Sequence, residues 1–365
     1  MRYRYDGGGL FNLARLKART KCNLVVVNEL QYADDAAFVC HTAQELQESV
    51  NGVHSAYTRA GLNMNLTKTE VLAQRTSGSF ESAAPRILVE DTELPVTDKF
   101  TYLGSIITSD CSLDDEVIRR IALASSAFGR LSHRVFLNHR LSLATKKSVY
   151  QAICLSILLF GCETWALYRR HFRKLESFHG DCIQRILGLK WYHRVPRTES
   201  RQRIGMSTLE EIILSRQLRW VGHVVRMPPE RLPRQVLYGE LETGDRSAGG
   251  QRKRYKDNLK RTLKQFKINP TSFDRAAGER NKWRQLVSDG ASGFASAYDA
   301  AAVARRARRH NPPTDGTHQC PECERRFVSL SGLRSHLRAH QRRRAADGGR
   351  IEGEEDVVIE TDGHP

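Results

Sequence analysis

The sequence contains no run of about 20 apolar residues, the length a bilayer-spanning helix needs, so nothing in it reads as a membrane segment. Its most apolar stretch, AICLSILLFGC from Ala152 to Cys162, is too short and reads as a buried helix. No secretory signal opens the chain. The eight cysteines form no framework: apart from Cys320 and Cys323 they are scattered. That is the pattern of reduced thiols in a nuclear or cytoplasmic protein, not secreted. No internal repeat is present, which excludes a solenoid or propeller. Acid is scarce too: 41 Asp and Glu stand against 58 Lys and Arg, for a net charge of +17.

At 365 residues the chain has room for two or three domains, and 40% hydrophobic content suffices for a core. The positive charge is unevenly spread. Residues 246–345 carry 24 Lys and Arg against 8 Asp and Glu, whereas residues 346–365 carry one against seven. A basic block of this kind points to a partner with a phosphate backbone, DNA or RNA. A solvated basic tail is the plainer alternative.

Near the beginning, LQYADDAAFVC (Leu30–Cys40) places Asp34 and Asp35 between two short apolar runs, LVVVNEL and AAFVC. A brief polar break between strand formers predicts a tight β-hairpin. The two aspartates are then either turn residues or hard oxygen ligands for Mg²⁺; spacing alone leaves both open. Residues 1–22, a loop around Asp6 and three glycines followed by a basic stretch, do not read as the start of a domain.

After the hairpin, Thr42 and Glu45 form a capping box. Leu46, Val50, Val53, Tyr57 and Ala60 then recur at helical spacing up to a terminating Gly61. Short strands are expected from Val71, at Ile87–Val89 and within Phe100–Ile107. Helices are expected over 113–137, 141–160 and 166–189, and from Ser207, with a capping box to Glu210, to about Met227. Two or three weaker helices follow, to about Arg309.

The most specific motif lies near the end. Cys320 and Cys323, then His336 and His340, have C-x2-C-x12-H-x3-H spacing, a tetrahedral zinc pattern. Phe327 and Leu333 stand where a ββα finger needs hydrophobic support. So small a unit takes most of its stability from Zn²⁺. Base-reading positions −1, 3 and 6 of the finger helix fall on Ser329, Gly332 and Ser335, none able to make a bidentate base contact. Arg325, Arg326, Arg334, Arg338 and Arg342 to Arg344 are suited to phosphates, so the finger is expected to hold the backbone with little sequence choice.

Taken together the motifs resemble those of the C-terminal portion of a non-LTR (LINE-type) retrotransposon reverse transcriptase. Tyr32-Ala33-Asp34-Asp35 is similar to that family's YxDD hairpin, AGLNMNLTKTEVL (Ala60–Leu72) to the next motif, and FTYLGSIIT (Phe100–Thr108) to the hairpin that grips the primer end. LLFGCETW (Leu158–Trp165), ILGLKW (Ile186–Trp191), QLRWVGHVVRM (Gln217–Met227) and the terminal finger are similar to stretches downstream of the polymerase. The resemblance implies RNA-directed DNA polymerisation with two Mg²⁺ ions about 3.5–4 Å apart. Asp34 and Asp35 would be metal ligands, Lys68 would act on the pyrophosphate, and Tyr102 and Gly104 would lie against the primer. It also implies a further aspartate on an upstream strand. The acids before Asp34 are Asp6 and Glu29, and neither fits. The expectation is therefore that this chain alone does not polymerise, and that Mg²⁺ enters only if the palm is completed.

The expected fold is α+β. A partial palm spans 1–110, a helical thumb and connector 111–243, a basic helical linker region 244–310, the finger 316–344 and an acidic disordered tail 345–365. Nucleic-acid contacts are expected at Tyr102, Gly104, Arg252, Lys253, Arg254 and the finger arginines. The alternative is a zinc-finger nucleic-acid-binding protein in which the polymerase remnant is scaffold. His171, His179 and Cys182 read as helix packing before a metal site. Cys154 and Cys162 read as buried thiols. Trp165, Trp191, Trp220 and Trp283 read as core or interface packing residues before base-stacking ones.

Overall fold

The computed structural model describes residues 1–17, 22–74, 85–242, 252–310 and 318–348. Most of the expected acidic tail, the linker glycines before Arg252 and Asn311-Pro312-Pro313 lie outside the described residues. The chain divides into two compact units, Met1–Ala297 and Tyr298–Pro365. Among the described residues no helix is long and apolar enough to cross a membrane.

The core of the first unit is helical. Asp114–Leu131 begins with three acids, Asp114, Asp115 and Glu116, which complement the positive end of the helix dipole. It buries Val117, Ala124 and Phe128 in the main core and packs against Arg169–Ile186. The helix Leu143–Val149 widens into a π-helical stretch at Tyr150–Leu155 that buries Tyr150 and Cys154. Tyr150 meets Phe128 and Phe136 edge-on, with ring centroids 6.2 and 6.3 Å away. Thr208, not Ser207, caps the helix Leu209–Val225, its hydroxyl accepting from the Glu211 N–H at 3.0 Å. Ser207 instead donates to the Glu211 carboxylate, so the cap lies one residue later than expected.

LLFGCETW and QLRWVGHVVRM pack together. Gln217 donates to the carbonyls of Cys162 and Trp165 at 3.1 and 2.9 Å. Gly222 leaves room for the Trp283 indole: a Cβ there would stand 2.1 Å from Nε1, which itself donates to the Leu218 carbonyl. The later helices Tyr255–Gln265, Phe273–Gly278 and Arg280–His310 complete this core through Leu259, Phe273 and Trp283.

Two expectations at the beginning of the chain are corrected. Arg2–Tyr5 is the central strand of a three-stranded antiparallel sheet, between Asn23–Val26 and Glu240–Leu241. Tyr5 and Leu10 enter the helical core, so residues 1–10 are integral to the unit. The run LVVVNEL is not one hairpin strand. Its first half pairs with Arg2–Tyr5, and the hairpin begins only at Glu29. Val27-Asn28 separates the two pairings.

A second, smaller core joins the helix Ala43–Arg59 to the short strands Leu88–Val89 and Thr92–Glu93 through Val50, Val71, Ile87, Val89 and Leu94. Thr42 caps that helix, accepting from the Glu45 N–H at 3.1 Å, and Gly61 ends it at φ 74°. The fold is thus mixed and mostly helical.

Candidate zinc centre and nucleic-acid surfaces

The YADD segment forms a tight hairpin. Glu29–Tyr32 pairs with Asp35–Phe38, and Tyr32 stands opposite Asp35. Ala33, at φ 53°, gives the two-residue turn the left-handed start such hairpins require. Asp34 is at the turn and Asp35 opens the second strand; both are exposed. Lys68 lies in a turn, its N–H donating to the Asn65 carbonyl and side chain.

A second hairpin, Lys99–Tyr102 with Ser105–Thr108, turns at Leu103 and Gly104, φ 47° and 84°. The two hairpins touch: the Tyr102 hydroxyl donates to the Leu30 carbonyl at 3.0 Å. The second is held to the helix Asp114–Leu131. Buried Glu116 accepts from the Ile106 N–H at 2.8 Å and pairs with Arg120 at 2.7 Å. Arg119 and Arg120 both donate to the Gly104 carbonyl, at 2.6 and 2.5 Å. The latch escaped the sequence reading, although a Glu and an Arg at i and i+4 are a legible pair.

Arg252, Lys253 and Arg254 make contacts within the chain. Arg252 donates to the Asp110 carbonyl. Lys253 donates to the Leu167 carbonyl at 3.3 Å and stands over the Tyr168 ring. Arg254 pairs with Glu240 at 3.1 Å. His171 and His179 hydrogen-bond to Asp114 and to Tyr150 and Ser207, so both are packing residues of the core. Burial pushes the thiols of Cys154, Cys162 and Cys182 up, to about 11, 12 and 12, and they remain protonated.

In the second unit His318–Gln319 pairs with Arg326–Phe327, and a helix follows from Leu330 to Gly348. Glu324 takes φ 57° in the turn that carries the cysteines. The Ser329 hydroxyl accepts from the Gly332 N–H at 3.2 Å. The ligand atoms of Cys320, Cys323, His336 and His340 all lie within 4.8 Å of one another. His336 Nε2 is 3.0 Å from Cys323 Sγ and 2.9 Å from His340 Nε2. Two cysteine sulfurs and two imidazole nitrogens converging on one point supply the donor set of a tetrahedral zinc site. Among the described residues this is the one group of three or more His, Cys, Asp or Glu side chains placed to share an ion. The Phe327 ring lies 4.7 Å from that of His336. Glu322 reaches His340 Nδ1 at 3.3 Å, leaving Nε2 toward the metal.

Residues 317–343 match the C2H2-type zinc-finger family. Zinc is the cofactor of this finger. A Caenorhabditis elegans protein named as transposon-derived is 23% identical over 273 residues, covering 72% of this chain and 95% of its own. No solved structure matches. Within the finger, Ser329, Gly332 and Ser335 offer no long polar side chain to a base edge, and Ser329 is further engaged as the helix cap. Arg325, Arg326, Arg334 and Arg338 of the finger are exposed.

Proposed function

We propose that the chain is a nucleic-acid-binding protein derived from a non-LTR retrotransposon reverse transcriptase, and that its finger holds the phosphate backbone. The zinc quartet in a ββα frame with four exposed arginines carries this reading. Guanidinium groups recognise phosphate geometry without regard to sequence, and the serines and glycine at the reading positions add no discrimination. The transposon-derived name of the C. elegans relative supports the origin.

The polymerase reading draws support from the bond between the two hairpins, which sets the YADD turn beside the segment similar to a primer grip. Asp34 and Asp35 would bind Mg²⁺ there, with Lys68 at the pyrophosphate and Tyr102 and Gly104 at the primer. Two adjacent exposed carboxylates do not make a two-ion site, which needs ligands shared by both cations. The chain alone is therefore proposed not to polymerise.

Fluorescence anisotropy with labelled duplexes tests the first reading. Cys323→Ala should weaken binding at least tenfold, and wild-type affinity should fall steeply with salt. Equal affinity for Cys323→Ala and wild type would overturn it. Templated dNTP incorporation by the purified chain, abolished by Asp34→Ala, would restore the polymerase.

A further inference from the structure

Three of the four tryptophans pack within the chain and one does not. Trp165 and Trp283 are buried and Trp220 is half-buried, but Trp191 is 89% exposed and Tyr192 beside it 59%. They belong to Lys190-Trp191-Tyr192-His193-Arg194, five consecutive exposed residues in which cations flank aromatic rings. From Cys182 to Thr198 the sequence holds four Lys and Arg and no acid.

This is a fixed turn. Gly188, φ 68°, ends the helix Arg169–Ile186, with the Leu189 N–H donating to the Gln184 carbonyl at 2.8 Å. On the far side the Gln184 amide donates to the Val195 carbonyl at 3.3 Å. The same residue thus ties both ends of the turn to one helix. Inside it the Lys190 N–H donates to His193 Nδ1 at 3.0 Å, and Arg194 holds φ 51°, a conformation that surrounding structure must impose on a non-glycine residue. The rings of Trp191 and Tyr192 stand 5.9 Å apart at 79°. Two large rings in water are unfavourable for the isolated chain; the His193 ring packs edge-on against Tyr192 at 4.6 Å, yet Trp191 stays 89% exposed.

We propose that Trp191 and Tyr192 form a stacking platform for single-stranded nucleic acid. Unpaired bases would lie on the rings while Lys190 and Arg194 hold the adjoining phosphates, the combination that sequence-tolerant single-strand binding uses. The charge of the segment favours a polyanion over an apolar protein face. The inference extends the nucleic-acid reading above but assigns a different site and a different strand state from the finger.

The test uses the full zinc-loaded chain, fluorescein-labelled dT and rU 12-mers and a labelled duplex. Trp191→Ala should weaken binding of the 12-mers roughly 10- to 100-fold and leave duplex affinity unchanged. Trp191→Phe, which keeps a ring, should recover part of the loss. Adding 12-mer should quench tryptophan fluorescence in wild type but not in Trp191→Phe. Unequal affinity for dT and rU would show a preference in the sugar or the 5-methyl group and still support the platform. Unaltered 12-mer affinity in Trp191→Ala, without quenching in wild type, would overturn it. So would a Trp191→Ala chain that binds 12-mers normally but no longer self-associates, since the surface would then be a protein interface. Cys323→Ala separates the two ideas: loss of duplex binding with 12-mer quenching retained supports both sites, whereas duplex binding retained sinks only the finger reading.

Discussion

The Tyr102 hydroxyl donates to the Leu30 carbonyl at 3.0 Å, joining two hairpins that lie 72 residues apart in sequence. Each hairpin is a two-stranded sheet of its own, and an isolated hairpin is marginally stable in water. The YADD hairpin is mostly exposed along both strands, so its support comes from neighbours such as Tyr102. Tyr102→Phe should therefore loosen the YADD hairpin by ~0.5–1.5 kcal/mol without lowering global stability measurably. Amide exchange at residues 29–38 should accelerate while exchange in the helix Leu209–Val225 stays constant. If both segments respond equally, the bond does not act locally.

The second hairpin depends on Glu116. Its carboxylate is buried, accepts from Ile106 and pairs with buried Arg120. Removing one member of a buried pair leaves the other charge desolvated, which costs ~3–5 kcal/mol. Glu116→Ala should lower the unfolding free energy read from urea denaturation by that amount and free the hairpin from the helix Asp114–Leu131. Glu116→Leu combined with Arg120→Met should lose much less, because no charge is stranded. Additive losses in the double variant would show that the two residues act independently.

Acid should destabilise the first unit through His179. The ring is buried between Tyr150 and Ser207, and burial lowers its pKa from 6.5 to about 4. Between those values the unfolded chain binds a proton that the folded chain does not, so stability rises with pH. The stabilisation relative to a protonated ring is complete above about pH 6.5 and falls by ~3 kcal/mol as pH drops to 4. Half-buried Glu176, raised by desolvation, acts in the opposite sense above its unfolded value. Thermal unfolding at pH 7, 5.5 and 4 for wild type and His179→Gln isolates the histidine: the variant should start less stable and decline less. An equal decline would assign the acid sensitivity elsewhere.

Legibility in the sequence followed the range of the interaction. The zinc quartet was readable because four ligands at fixed spacing define the geometry. Thr42 and Gly61 were readable because caps act within one turn. The split of LVVVNEL was not, since it depends on which distant strands claim Asn23–Val26 and Glu29–Tyr32. Nor was the membership of Tyr5 and Leu10 in a core otherwise made by residues more than a hundred positions away. Trp191 misled because a tryptophan in an apolar neighbourhood ordinarily packs; its flanking Lys190, Tyr192, His193 and Arg194 were the available signal.

Glu322 adds a positioning role at the zinc centre. A histidine that donates its other ring N–H to a carboxylate is held in one tautomer and one orientation, and becomes a more basic ligand. Glu322 stands 3.3 Å from His340 Nδ1, so His340 would meet zinc through Nε2 already oriented. Glu322→Ala should weaken zinc binding by the full chain about 10- to 100-fold, read by competition with a chromophoric chelator. Glu322→Gln, which retains an acceptor oxygen without the charge, should lose less. Cobalt substitution supplies the control: the visible absorption of a tetrahedral two-sulfur, two-nitrogen site should persist in both variants, only at higher cobalt concentration. Unchanged affinity in Glu322→Ala would reduce the Glu322–His340 pair to a surface contact with no part in holding the metal.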